Sequence, residues 1–346
     1  MVTTLNDAKR ANIASKLASM KAIQELLIKN DRQLASDIPD QKIQERLHEM
    51  YDDDRKNLGI LETVIVQYGI PAEPAETVVG LVNTVKELMT GSKLSPYEKL
   101  SQHELLKHNQ TMTGLLIHKA AQIVGADVEA AITPLNTVNF ENRAHQEQLK
   151  GMLELLGVRE LTGQEADQGL WARVQDAVAA LSGVAGSVLT QNSDQSDVDI
   201  QSLIRADHTK VSVLFSEIEN SRDPAKIQEY FGQLYKDLTV HAEAEEQVVY
   251  PQVHSVYGES ETEGRYSEQA EMKRELDQIK AMDPSSSDFK TAVKLLKETV
   301  LAHVREEENT MLPTIGRSFS AQQREQMATD FKAAKQQLQL RLAQSR

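Results

Sequence analysis

The stretch HAEAEEQVVYP, which starts at His241, is written a second time as HVREEENTMLP, which starts at His303. Both place glutamate at the fourth and fifth positions after the histidine and proline at the tenth. Upstream, Leu234 and Leu238 answer Leu296 and Val300, seven and three residues before each histidine. Positions four apart on a helix lie one above the other, so His241 and Glu245 point together, as do His303 and Glu307. The apolar residues three and seven positions earlier share that face, which must therefore turn into the interior of a bundle. An unpaired carboxylate there costs on the order of several kcal/mol or takes up a proton. A bound cation removes that cost. A single HxxxE match usually belongs to a solvated acidic face, but two matches with shared flanks reverse the expectation.

A third histidine strengthens it. In DIQSLIRADHTKVSVLFSEI, His208 lies on the stripe Ile204, Val211, Phe215 and Ile218. Alone it would read as a hydrogen-bonded core histidine. With the others it gives three imidazoles and two carboxylates converging on one bundle centre.

These residues carry a resemblance. LIRADHTKVSVLF, HAEAEEQVVYP and HVREEENTMLP resemble the three signatures of the hemerythrin-like HHE cation-binding family, over about residues 199–315. The resemblance implies an up-and-down four-helix bundle with a non-heme di-iron centre. His208, His241, Glu245, His303 and Glu307 would be its ligands, the glutamates suited to bridging. By ligand softness a nitrogen and oxygen set without sulfur suits iron, manganese or zinc. The third helix departs from the family pattern. Where a histidine is usual, the stripe Gln269, Met272, Leu276 and Ile279 offers Gln269, with Glu268 beside it. Gln269 leaves a coordination position open, suited to O2, NO or peroxide, unless Glu268 fills it.

The rest of the chain fits an all-α protein. Of 346 residues 40% are hydrophobic, only 4% are aromatic and nine are proline, which disfavours sheets. With no cysteine there are no disulfides, thiolate sites or Fe–S clusters. A net charge of −14 argues against a nucleic-acid partner and against anionic membrane. No apolar run has signal-peptide or membrane-span length, so a soluble cytoplasmic protein is expected.

We read residues 1–157 as one bundle, 158–198 as a helical connector and 199–346 as a second bundle with an extra C-terminal helix. In the first, Ile13, Leu17, Met20, Leu27 and Leu34 form one stripe. Ile43, Leu47, Met50, Leu58, Leu61, Ile65 and Tyr68 form the next, ended by Gly69 and Pro71. Leu105, Met112, Leu115 and Val124 carry a third, and Val138, Leu149, Met152 and Leu156 a fourth, closed by Gly157. Polar residues interrupt these stripes at similar depth: Gln24 and Glu25, then Asp54, then His108, then Glu141 and His145. One such interruption per helix is how ferritin-like di-metal sites are built, so this bundle is ferritin-like in pattern. The family's Glu-x-x-His spacing occurs at Glu45–His48, toward one helix end. A buried polar network is the alternative to a metal here. The pairing of the two domains resembles stress-induced proteins of cyanobacteria.

Three functions compete. The first is a di-iron protein that senses, stores or detoxifies iron or O2, NO or peroxide in a stress response. The second is a di-iron peroxidase or oxygenase, although no flavin, nicotinamide or heme motif supplies electrons. The third is a helical scaffold with structural metal, and association into a homo-oligomer stays open.

Overall fold

A computed structural model describes residues 7–165 and 199–344, and among the described residues the regular structure is all helical. The first bundle consists of α1 (Asp7–Asp37), α2 (Gln41–Tyr68), α4 (Pro96–Val124) and α6 (Leu135–Thr162), with α3 (Glu76–Thr90) packed along α1. Local chemistry sets the ends. Asp40 accepts the Lys42 and Ile43 amides, Ser95 and Glu98 form a reciprocal capping box, and Gly69 at φ 82° closes α2 in the left-handed region. Gly157 does not stop its helix, which runs on to Thr162 and is closed by Gly163. A side chain at Gly157 would meet Tyr97 at 3.2 Å, so this glycine serves helix packing. The expected connector helix lies outside the described residues.

A short helix, α5 (Ala126–Ile132), packs on α7 (Ile200–Asn220), the first helix of the second bundle. That bundle continues with α8 (Pro224–Ala244), α10 (Glu259–Lys280) and α11 (Ser287–Glu306). Two π-helical turns, π1 (Glu245–Val249) and π2 (Glu307–Met311), lead from α8 and α11 into α9 (Tyr250–Tyr257) and α12 (Leu312–Ser318). The Tyr250 amide bonds the Glu245 carbonyl and the Leu312 amide bonds the Glu307 carbonyl, each five residues back. The repeated proline explains the repeated bulge. Pro251 and Pro313 have no N–H, and their rings would strike the carbonyls of Gln247 and Asn309 in a regular α-helix. The wider turn relieves both problems. The last helix, α13 (Ala321–Gln344), lies against α7, α8 and π1.

Buried polar contacts join the bundles. Arg10 donates to both oxygens of Asp127 and, across the junction, to Glu229. Lys210 donates to the carbonyls of Gln67 and Tyr68, and Gln339 to that of Val66.

In each bundle a polar layer divides the apolar core into two clusters. In the second, one cluster includes Ile204, Val249 and Met311, the other Val211, Leu238 and Val300. His208, His241, Glu245, His303 and Glu307 lie between them in sequence and are all buried. In the first, Gln24, Asp54, Lys107, Gln110 and His145 occupy the corresponding layer.

Of the third apolar stripe of the first bundle, Val124 faces the core and the rest does not. Leu105, Met112 and Leu115 are exposed, and the inward face of α4 carries Leu100, His103, Lys107, Gln110 and Ile117 instead. Apolar periodicity fails on a helix that turns polar groups inward. The same rotation puts His108 outside, and Glu25 is exposed on α1, so neither belongs to an interior site. Asp54 and His145 are buried as expected, with Glu141 half-buried.

Candidate metal centre

Each predicted ligand sits where its helix brings it to mid-bundle. His208 comes from α7, His241 from the end of α8, Glu245 from the first residue of π1, His303 from α11 and Glu307 from the first residue of π2. Both glutamates are 0% exposed and the three histidines 5–6%. One donor atom from each of His208, His241, Glu245 and Glu307 lies within 4.8 Å of the others. Nε2 of His208 and His241, Oε1 of Glu245 and Oε2 of Glu307 are buried without a hydrogen-bond partner. Buried polar atoms are nearly always partnered, so four orphans facing one point fit a cation.

The other ring nitrogens explain why those Nε2 atoms are available. His241 Nδ1 is 3.0 Å from Asp207 Oδ2, His208 Nδ1 is 2.8 Å from Glu308 Oε1, and His303 Nδ1 is 2.7 Å from Glu268 Oε2. A carboxylate on one nitrogen fixes the ring and leaves the other to a metal, raising its basicity. Glu268 thus orients His303 and is itself tied to Arg265. Asp207 is held in turn by Lys335 of α13, whose Nζ lies 2.6 and 2.7 Å from its two oxygens. Burial works against the Asp207 charge, but Lys335 and His241 outweigh it and hold its carboxyl below the usual range. Asp207, Glu308 and Lys335 were not singled out in the sequence. The first two adjoin predicted ligands, which was the available signal, whereas Lys335 carried none.

His303 stands slightly apart. Its Nε2 is 3.2 Å from Glu307 Oε1 and 3.4 Å from Gln269 Nε2. Gln269 is buried and inward as expected, and its amide donates to Glu245 Oε2 and to the Tyr250 hydroxyl, both at 2.9 Å. Tyr250 donates to Glu307 Oε1 at 3.0 Å and lies 3.3 Å from Glu245 Oε2. Glu307 therefore faces His208 Nε2 with Oε2, at 3.5 Å, and Tyr250 with Oε1, whereas Oε2 of Glu245 meets Gln269, Tyr250 and, at 3.3 Å, His241 Nε2. Tyr250 has no counterpart in the second copy, where Leu312 stands at the same position.

Electrostatics reinforce the pattern. Burial opposes charge on His241, yet Glu245 and Asp207 prevail and raise it to about 10. His303, opposed by burial but drawn by Glu307 and Glu268, rises to about 9. Protons on these rings take the part of a cation's charge.

The fold and donor set define a hemerythrin-like cation-binding bundle, and residues 199–315 match the family described as the hemerythrin HHE cation binding domain. Over 342 residues the chain is 61% identical to a DNA nickase of a Nostoc species, covering 99% of this chain and 97% of that one. It is also 27% identical over 139 residues to an uncharacterized hemerythrin-like protein of Schizosaccharomyces pombe, covering 39% of this chain and 68% of that protein. The chain belongs to the same family as that Nostoc protein and carries a hemerythrin HHE cation binding domain over residues 199–315. The name of that relative gives no support to the exclusion of nucleic acid, because net charge averages over a surface and does not describe its patches. No solved structure matches. Among the described residues no helix is long and apolar enough to cross a membrane.

Proposed function

We propose that this protein holds non-heme iron in its C-terminal bundle and nicks DNA. The full-length 61% identity to a protein named DNA nickase carries the second part. The four unpartnered donor atoms support the first. One ion would be held by His208, His241, Glu245 and Glu307. A second would use His303 with the remaining glutamate oxygens, which Tyr250 and Gln269 now occupy. Manganese or zinc suits the donors almost as well, and the family resemblance favours iron.

Burial limits what such a centre can touch. With ligands 0–6% exposed, a phosphodiester of a DNA duplex has no path to the donors, whereas O2, NO or peroxide is small enough to enter. Iron bound there would supply redox chemistry toward such molecules. The same burial favours a second reading, in which the centre senses, stores or detoxifies iron or these small molecules under stress.

The test is conversion of supercoiled plasmid to the nicked circle by iron-loaded protein, chelated protein and His241→Ala. Nicking that needs the loaded wild-type protein supports the proposal, and ends that ligase cannot reseal would place an oxidant made inside the bundle behind the cut. Ligatable nicks made equally well by His241→Ala would separate cutting from the metal. Absence of nicking together with full iron content leaves the sensing reading. Full iron content in both His241→Ala and His303→Ala would refute the ligand assignment.

A further inference from the structure

The first bundle contains a second convergence, formed by residues other than those its sequence pattern suggested. Asp31 of α1, Asp54 of α2 and His103 of α4 are each 0% exposed, and one donor atom from each lies within 4.8 Å of the others. Both Asp31 oxygens, Asp54 Oδ2 and both His103 nitrogens lack a hydrogen-bond partner. His103 Nε2 and Asp31 Oδ1 approach to 3.2 Å without forming one. Even with a proton shared between Asp31 and Asp54, both His103 nitrogens stay unpartnered at the middle of a folded bundle, which fits a bound ligand.

We propose that Asp31, Asp54 and His103 form a second metal site, for one divalent transition cation, separate from the hemerythrin-like centre. The neighbouring lysine does not take the cation's place. Lys107 Nζ contacts Asp54 through Oδ1 and lies 2.9 Å from His145 Nδ1, which leaves Asp54 Oδ2 free toward Asp31 and His103. Asp54 thus divides its oxygens between Lys107 and the site, much as Glu307 divides its own between Tyr250 and His208. Three ligands on three helices form a rigid half-shell. One imidazole with two carboxylates and no sulfur suits Zn(II), Mn(II) or Fe(II) and excludes the thiolate-selected metals. Two clustered carboxylates offset by one lysine leave negative charge that a divalent ion compensates. Burial and the Asp54 charge push the Asp31 carboxyl well above its usual range, so a proton holds the place when no metal does.

Co(II) is the probe, titrated into full-length chelated protein and followed by its visible spectrum and by metal analysis. Wild type should take up one equivalent more than Asp31→Asn, and His241→Ala should keep the N-terminal equivalent that Asp31→Asn/His241→Ala loses. His103→Gln serves as an independent removal should Asp31→Asn fold poorly. In His241→Ala, hydrogen exchange of α1, α2 and α4 should slow on adding Co(II). Equal Co(II) uptake and spectra in wild type and folded Asp31→Asn or His103→Gln, or unchanged exchange in these helices, would overturn the site and leave a carboxylic acid–carboxylate pair.

Discussion

Replacing Asp207 by Asn isolates what the carboxylate behind a ligand histidine contributes. The Asp207 carboxylate accepts from His241 Nδ1 at 3.0 Å and grips Lys335 Nζ at 2.6 and 2.7 Å, with both side chains buried. Asparagine keeps the shape and one acceptor oxygen but removes the charge. Lys335 is then buried without its anion, and breaking a buried pair this way costs about 3–5 kcal/mol. Loss of a carboxylate partner to a ligand histidine lowers metal affinity about 10- to 100-fold. The double variant Asp207→Asn/Lys335→Met separates the two effects. Removing both charges should restore most of the stability, since a buried pair replaced by uncharged groups is often neutral. Affinity should remain low, because the ring still lacks its anion. Stability is read as hydrogen exchange of α7 and α8 in chelator, and affinity by competition with a chromogenic chelator. Should affinity recover in the double variant along with stability, the loss came from misfolding, and the role given to Asp207 is wrong.

Three further outcomes follow from other parts of the structure. Gln269→His replaces the amide that now holds Glu245 Oε2 and Tyr250 with an imidazole facing His303, so metal analysis should show tighter retention of the second ion and azide should bind more weakly; an unchanged azide spectrum and stoichiometry would reject an open position there. Because His241 at about 10 and His303 at about 9 must each lose a proton to the ion it holds, the affinity for each ion should fall roughly tenfold per unit of acidification below about pH 9. In chelated protein the same raised values stabilise the bundle fully below about pH 6.5 and progressively less as pH rises through 9 to 10, so exchange in α8 and α11 should quicken with alkalinity; a pH-independent affinity would refute both assignments. Arg10→Met strands the buried Asp127 and leaves Glu229 with Lys226, and should cost about 3–5 kcal/mol, read as faster exchange in α5 and α8, whereas unaltered exchange there would show that Arg10 does not couple the bundles.

The doubled HxxxE with its proline was legible because its meaning is local. Helical spacing alone puts histidine and glutamate on one face, and one proline per copy forces the bulge beside the ligand glutamate. His208 was legible for the same reason, as a polar residue inside an apolar stripe. The first bundle resisted that logic. On α4 the buried face carries His103, Lys107 and Gln110 while Leu105 and Ile123 face outward at 56% and 77% exposure, so the apolar stripe identified the wrong side. Asp31 and His103 could not be chosen over Glu25 and His108 until the helices were packed. Nor could Glu268 be told from a ligand, because its place behind His303 depends on how α10 meets α11. The carboxylates behind His241, His303 and His208 come from 34, 35 and 100 residues away, and Lys335 reaches Asp207 across 128. A helix's sequence records which residues share its face, whereas the rotation of that face against its neighbours is set by packing of the whole bundle.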